Sequence, residues 1–179
     1  MKVLAFDLSL TATGVAWPDG ELTTIWPDAL PEKASHADQR RRIDQVRRNI
    51  ISNVETAQPD LVAIEGFSFA SKGSSVDQIY GLGWAVRLLL LDHGIQYVVI
   101  PPSNVKIYAT GSGQATKSDM RMALFKRAGI DEADDNRVDA WWLRAMALEF
   151  YDVGVAAVPQ AHLRGLDKVD WPTLDRSAA

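Results

Sequence analysis

The sequence contains no cysteine among its 179 residues. This absence excludes a disulfide scaffold, a thiol nucleophile, a zinc–thiolate site and an iron–sulfur cluster, because each of them needs cysteine. The remaining composition, with 47% apolar and 23% charged residues, is typical of a soluble globular protein. A chain of this length suits one domain that buries a substantial core.

Long apolar runs are also missing. The N-terminal run reaches an acid at Asp7 and is too short for a secretory signal peptide. The longest later run, residues 81–91, is interrupted by Arg87, and a membrane-spanning helix needs about 20 apolar residues. We therefore expect a cytoplasmic protein with no membrane partner.

The chain has no net positive charge, but its basic residues are concentrated locally. A net charge of −4 and a sequence pI of about 5.3 argue against a nucleic-acid partner, because phosphate binding depends on lysine and arginine. Residues 33–48, however, hold six basic residues against two acidic ones, and residues 101–130 hold five against one. Residues 131–149 show the opposite balance, with six acidic residues against two basic ones. The small net charge therefore conceals strong local fields.

The order of predicted elements is typical of an α/β fold. Apolar runs predict strands at 3–7, 13–17, 21–26, 61–65 and 95–100, the second and third forming a hairpin. Periodicity predicts helices at 35–57, 75–93, 117–128 and from 134 or 135 to 151. The helix at 75–93 is apolar nearly all round, which indicates either a core helix or a homodimer contact. After a domain of residues 1–151, we expect a tail at 152–179 that is loop or partly disordered.

Acidic residues stand at the ends of several predicted elements. Asp7 and Glu65 each close an apolar strand, and parallel pairing would bring both to the same edge of the sheet, where open α/β sheets bind ligands. Asp135, Asn136 and Asp139 share one face of the last helix, since they are three or four residues apart. The apolar residues that continue this face suit packing on the sheet, which predicts that all these acids meet.

Such a cluster of carboxylates is unfavourable unless positive charge neutralises it, because each acid raises the pKa of its neighbours. Ligands that are all oxygen favour Mg²⁺ or Mn²⁺ over zinc. Two such ions can activate a water and stabilise the leaving oxygen in phosphodiester cleavage. The basic segments would then hold a nucleic-acid backbone.

Each feature also has a simpler local interpretation. Asp7 and Glu65 could be ordinary turn or cap residues after a strand. Residues 134–136 form a good helix N-cap, and the arginines at 40–48 could line a solvated helix face. Asp139 is harder to explain in this way, because it faces the buried side of its helix.

Five short motifs resemble those of the RuvC-type Holliday-junction resolvases, a family within the RNase H-like superfamily. They are LAFDLSLTATG at 4–14, VAIEGF at 62–67, PPSNVK at 101–106, TGSGQATK at 110–117 and DNRVDA at 135–140. The third and fourth together are the most specific. The motifs follow the family's order, and the tail lies outside the resemblance.

The resemblance implies an RNase H-like mixed sheet, made of a hairpin plus parallel strands and flanked by helices. It also implies a homodimer that makes paired cuts in Holliday junctions or branched DNA, leaving 5′-phosphate and 3′-hydroxyl ends. Asp7, Glu65 and Asp139 would bind two Mg²⁺ ions, with Mn²⁺ as a substitute. Lys117 would lie beside the scissile phosphate.

The implied fourth metal-site residue departs from the family pattern. The family usually has Asp or His three positions before the last Asp, where this chain has Asn136. We favour the neighbouring Asp135, because a carboxylate neutralises metal charge and an amide does not. An aromatic residue after the second motif, Phe67 or Phe69, would probe the DNA, although either could equally belong to the core. The basic candidates for DNA binding are Lys106, Lys117, Arg121, Lys72, Arg40 and Arg41.

Other functions compete with this one. Residues 7–11 also resemble the phosphate-binding hairpin of an ASKHA-type ATPase or kinase, but such proteins need two domains around a nucleotide. An RNase H-like nuclease that processes RNA precursors and a non-catalytic branched-DNA-binding module are closer alternatives. The segment at 110–117 favours the resolvase, and it lacks the Gly-Lys-Ser/Thr ending of a P-loop. We therefore expect it to be a flexible loop that delivers Lys117.

Overall fold

A mixed five-stranded sheet organises the chain, in a computed structural model that describes residues 1–67 and 76–174. The strands are β1 (Val3–Asp7), β2 (Thr13–Ala16), β3 (Leu22–Ile25), β4 (Leu61–Glu65) and β5 (Tyr97–Ile100). Their spatial order in the sheet is β3-β2-β1-β4-β5. The helices are α1 (His36–Ala57), α2 (Val76–Asp92), α3 (Pro102–Thr110), α4 (Lys117–Ala128) and α5 (Asp135–Phe150), followed by a 3₁₀ helix (Gln160–Leu166).

The pairing of the strands confirms the predicted hairpin with parallel strands. β1 runs antiparallel to β2, and β2 runs antiparallel to β3. β1 is also parallel to β4, with Phe6 opposite Ile64, and β4 is parallel to β5. Asp7 and Glu65 follow this matched pair directly, so the two acids leave neighbouring strands at the same edge.

Helices cover both faces of the sheet, because alternate residues of the buried strands point to opposite sides. Leu4 and Phe6 pack with α1 and α2, whereas Val3 and Ala5 pack with α3, α4, α5 and the tail. The most deeply buried helix is α5, where every residue from Ala140 to Leu148 is buried. No described helix is both long and apolar enough to cross a membrane.

The helix α2 is buried on one face only. Leu82, Val86 and Leu90 are fully buried against the sheet and α1. Trp84, Leu88 and Leu91 are 57%, 52% and 64% exposed. We expected α2 to be either a core helix or a homodimer contact. One side of the helix does lie in the core, and the other side is apolar and exposed.

Local hydrogen bonds set where the site-bearing helices begin. Thr116 forms a capping box with Asp119, so α4 starts at Lys117. Asp134 caps α5 through the amides of residues 136 and 137, which starts that helix at Asp135. These bounds confirm the predicted start of both helices.

Two segments differ from the sequence-based expectation. Residues 102–110 form α3, which we did not predict because the two prolines at 101–102 end the preceding strand. Proline also suits the first turn of a helix, where its missing N–H costs nothing. The tail was expected to be loop or partly disordered. Residues 152–174 instead contain the 3₁₀ helix and pack onto the core through Leu163, Leu166 and Val169.

Gly14 allows an unusually close approach between β2 and α5. It lies opposite Asp7 in the hairpin ladder. A Cβ atom at this position would overlap the backbone carbonyl of Asn136. The missing side chain therefore lets the N-terminal turn of α5 reach the edge of the sheet where the strand acids emerge.

We expect Gly14→Ala to lower the free energy of unfolding by roughly 1–3 kcal/mol, because the added methyl group overpacks this contact. Thermal or urea unfolding of the purified variant measures the effect. Gly81→Ala is the matched control: it lies in α2, where a Cβ meets only Ile43 at 3.9 Å. That change should leave stability unchanged or raise it by up to about 1 kcal/mol. Equal stabilities for the two variants would contradict the close-approach argument.

Candidate active site

Three acids from three different elements meet at the carboxyl edge of the sheet. Asp7 ends β1 and Glu65 ends β4, and their side chains share a hydrogen bond. Asp139, in the second turn of α5, lies close enough to act electrostatically on both. The sequence-based prediction that these acids converge is therefore confirmed in the geometry.

Burial makes the charged forms of these acids costly. Asp7 is only 8% exposed. Desolvation, followed by repulsion from Glu65 and Asp139, raises its pKa well above the ordinary value. Desolvation and repulsion from Asp139 raise the pKa of Glu65 to about 7, and desolvation raises that of Asp139 to about 6. The edge therefore concentrates negative charge that the fold alone does not neutralise.

Two lysines supply part of the missing positive charge. Lys117, the first residue of α4, has its Nζ 3.9 Å from an oxygen of Asp139 and 3.6 Å from an oxygen of Asp135. Lys106 on α3 also lowers the pKa of Glu65 and of Asp139. The helix α3 and the loop after it thus bring both predicted lysines to the acids.

The donor chemistry of the edge fits a hard divalent cation. All three acids offer carboxylate oxygens, the ligands that Mg²⁺ and Mn²⁺ prefer, and all three have a raised pKa that a cation would lower. Within residues 1–67 and 76–174, no three acidic or histidine side chains are already gathered around one ion position.

Asp135, the predicted fourth ligand, has a different environment from the three buried acids. Its Oδ1 accepts from Arg121 Nε at 2.8 Å and lies 2.8 Å from Arg121 Nη2, while its Oδ2 faces Lys117. The alternative, Asn136, presents its backbone to Gly14. The choice of Asp135 as a metal ligand stays a prediction.

The predicted DNA-binding residues divide into separate groups. Lys106, Lys117 and Arg121 lie on α3 and α4, beside the acids. Arg40 and Arg41 lie on α1, which covers the opposite face of the sheet, and Arg41 pairs with Asp38 at 2.9 Å. Among residues 1–67 and 76–174, no hydrogen bond or ion pair joins these α1 arginines to the three acids, and their role in DNA binding stays a prediction. Phe69 and Lys72 lie outside the described residues.

Phe67 packs against α2. Its ring centroid is 4.9 Å from that of Tyr80, and the guanidinium of Arg87 lies 5.7 Å from it. A Cβ at Gly83 would overlap the same ring, so the aromatic side chain fills the space that the glycine leaves. This contact favours the core interpretation of Phe67, and its proposed contact with DNA stays a prediction.

The sequence analysis missed the residues that shape the backbone after Asp7. Thr13 is fully buried. Its hydroxyl donates to the Ser9 carbonyl at 2.9 Å and accepts from the Ser9 amide at 3.0 Å. These bonds close the turn between β1 and β2. The run of hydroxyl residues in the first motif was the available signal, since serine and threonine favour such turns.

Comparison with known proteins identifies the family. The protein-family model described as "Crossover junction endodeoxyribonuclease RuvC" matches residues 21–139, which is more than half of the chain. The chain belongs to the RuvC family. The matched span contains Glu65, Lys117 and Asp139, whereas Asp7 precedes it. The resemblance inferred from the motifs is therefore confirmed.

Curated RuvC relatives support this assignment over different lengths. The chain is 33% identical over 89 residues to the crossover junction endodeoxyribonuclease RuvC of Gloeobacter violaceus, covering 50% of this chain and 51% of that protein. It is 23% identical over 133 residues to the RuvC of Synechococcus sp. strain WH7803, covering 73% and 86%. The chain thus spans about half of the first relative and most of the second.

Solved RuvC structures share the fold. The structure of Thermus thermophilus RuvC aligns with a TM-score of 0.63 and 19% identity, covering 89% of this chain and all of that one. T. thermophilus RuvC in complex with a Holliday junction substrate aligns with a TM-score of 0.65 and 16% identity, covering 89% and 99%. The RNase H-like fold that the motifs implied is confirmed.

The raised pKa values predict how the stability of the metal-free protein depends on pH. In the unfolded chain these carboxyls lose their protons near pH 4, whereas the folded protein holds them until about pH 6 to 7. The protonated carboxyls therefore make their full contribution to the free energy of unfolding below about pH 4, and this contribution is lost as the pH rises through about 6 to 7. Unfolding in EDTA should show lower stability at about pH 8 than at about pH 5.

Asp7→Asn removes the buried negative charge and so tests its effect on the free energy of unfolding. In EDTA at about pH 8 we expect it to raise the free energy of unfolding by on the order of 1–3 kcal/mol, with a smaller gain at about pH 5. Asp131→Asn removes an exposed carboxylate and serves as the control, for which we expect no gain. A loss of stability in Asp7→Asn at both pH values would contradict the electrostatic account.

Proposed function

We propose that this protein is a metal-dependent, structure-selective endodeoxyribonuclease that resolves Holliday junctions or related branched DNA. The observation that carries the proposal is the meeting of Asp7, Glu65 and Asp139 at one sheet edge, faced by Lys106 and Lys117. Membership of the RuvC family supports the substrate class. Since its relatives are bacterial proteins and its substrate would be DNA, we place the reaction in the cytoplasm.

The three buried acids are the proposed ligands for two Mg²⁺ ions, which Mn²⁺ could replace, and Asp135 is the proposed fourth ligand. When bound, such ions supply activation of the attacking water and stabilisation of the leaving 3′ oxygen, giving 5′-phosphate and 3′-hydroxyl ends. The burial of Asp7 supports this role. A buried, hydrogen-bonded carboxylate is held in one orientation, as a preorganised ligand requires.

The lysines orient the phosphodiester against the acids. Lys117 is exposed enough to reach a phosphate, and its ammonium lies within 4 Å of both Asp135 and Asp139. It can therefore contact the scissile phosphate without leaving the site, and its charge opposes the negative charge that develops on phosphate oxygens during attack. Lys106 and Arg121 extend this positive surface on either side for the neighbouring phosphates.

We further propose that the active form is a homodimer that uses the exposed face of α2. Trp84, Leu88 and Leu91 are spaced by four and three residues, so they form one continuous apolar stripe. A four-way junction needs two symmetric cuts, and a twofold dimer supplies two equivalent sites. Burial of the stripe in a second copy would remove its apolar area from water.

A cleavage assay tests the reaction. With Mg²⁺, the wild-type protein should cut a synthetic four-way junction in symmetric pairs, and Asp7→Asn should abolish cutting while it still binds the junction. Asp131→Asn is the control and should cut like the wild type. Retained cleavage by Asp7→Asn would refute the assignment of the acids.

The choice of substrates in the same assay separates the alternatives. Equal cutting of a Y-fork would indicate a general debranching nuclease, and cutting of structured RNA alone would indicate an RNA-processing nuclease. Binding without any metal-dependent cutting would indicate a non-catalytic module. A linear duplex serves as the negative control for all three outcomes.

The dimer proposal predicts a change in mass. Leu88→Glu places a charge in the middle of the α2 stripe and should convert the protein to a monomer, because burying an unpaired charge is costly. Light scattering coupled to size-exclusion chromatography measures the change. Val153→Glu is the control, since it alters an exposed apolar residue that is not part of α2. A wild-type monomer at micromolar concentration, or a Leu88→Glu dimer, would contradict the proposal.

A further inference from the structure

The C-terminal tail is held against α3 by hydrogen bonds from both sides. Asn104 Nδ2 on α3 donates to the carbonyls of Gly165 at 2.8 Å and Asp167 at 2.9 Å. In the other direction, Arg164 Nη2 donates to the Gly111 carbonyl at 2.7 Å. A ring nitrogen of His162 lies 3.2 Å from the Tyr108 carbonyl. We call this set of interactions the tail–α3 contact.

The tail–α3 contact is a close one between two backbones. A Cβ added at Gly165 would lie 2.8 Å from the Asn104 carbonyl oxygen and 2.8 Å from the Tyr108 nitrogen. Gly165 is buried, so water does not separate the two segments here. The tail therefore supports α3 directly and does not simply lie over it.

The contact and the active-site lysine lie on opposite sides of α3. Asn104 and Tyr108 are one turn apart on the same face, and Gly111 continues that face beyond the helix end. Lys106 is two residues from each of the first two, which turns it by about 200° around the helix axis. The tail thus fixes the rear of the helix whose front directs Lys106 toward Glu65 and Asp139.

The same contact fixes the start of the segment that leads to Lys117. Gly111 ends α3 in a left-handed conformation with φ of 88°. Residues 112–116 follow, and Thr116 caps α4 immediately before Lys117. Arg164 places positive charge at the C-terminal end of α3, where unpaired carbonyls attract it. Any shift of Gly111 is passed along five residues to Lys117.

We infer that the tail positions the two active-site lysines, with Asn104 and Arg164 as positioning residues that never touch the DNA. The inference rests on the proposed nuclease function and adds a new part to it. It explains why a segment outside the family motifs packs so closely on the helix that carries one of them. Undocking the tail should slow the chemical step more than it weakens DNA binding.

The test compares Arg164→Met, which has no hydrogen-bond donor, and Asn104→Ala with the wild-type protein in single-turnover junction cleavage. Arg164 is exposed, so its variant should fold even if Asn104→Ala does not. We expect the cleavage rate to fall about tenfold in each variant, while the junction Kd stays within about twofold. Arg164→Lys, which can still donate to Gly111, should recover part of the rate. Lys168→Gln, an exposed tail cation outside the contact, should cleave like the wild type.

Hydrogen exchange provides a readout that does not depend on cleavage. The amides of residues 111–116 should exchange faster in Arg164→Met than in the wild type, with the sheet unchanged. Weaker binding at an unchanged rate, no rescue by Arg164→Lys, or unchanged exchange at 111–116 would each overturn the inference. If the wild type cuts no branched DNA, the nuclease proposal fails. The positioning inference is then decided by the exchange data alone.

Discussion

Repulsion between buried like charges is the constraint around which this structure is arranged. Asp7 and Glu65 leave adjacent parallel strands, so the register of the sheet forces them together whatever their mutual repulsion. Asp139 is added from a helix on one face of the sheet. If these acids served stability alone, neutral side chains would be expected in their place, because neutral side chains can be buried there at a lower cost in free energy. The cations proposed to bind these acids would offset this cost.

The remaining features of the site follow from the need to bring this charge together and balance it. Gly14 lacks a side chain that would collide with the N-terminal turn of α5. The two helix caps, at Thr116 and Asp134, place Lys117 and Asp135 at the first positions of their helices. Neither cap touches the acids. Each cap fixes where its helix begins, and the helix then places its charged first residue near the sheet edge.

Most of the fold could be predicted because its signals are local. Apolar runs that end in an acid identified β1 and β4, and periodicity identified α4. The helix α3 could not be predicted in the same way, since proline both ends a strand and begins a helix. The docking of the tail depends on residues about 60 positions away, such as Asn104 and Gly165, and no local pattern reports such a pairing.

The candidate site was predictable in its residues but not in its contacts. The motifs and strand ends indicate Asp7 and Glu65 from the sequence alone, and the motifs and helical spacing indicate Asp139. They did not indicate that Arg121 would engage Asp135, or that α1 would carry Arg40 and Arg41 to the other face. Pairing between charged side chains depends on the crossing of helices, which periodicity does not specify. The glycine at position 14 was visible in its motif without any sign of what it contacts.

The tail–α3 contact also has a consequence for the timing of folding during synthesis. Chains generally fold from the N-terminus as they emerge from the ribosome, and contacts between distant residues form late. The sheet and α5 can form once residue 150 has emerged, which assembles the acids first. Asn104 gains its partners only when residues 165–167 follow. A nascent chain would thus carry an assembled acidic edge before α3 is held in place, and the synthesis of residues 165–167 would complete the support of α3.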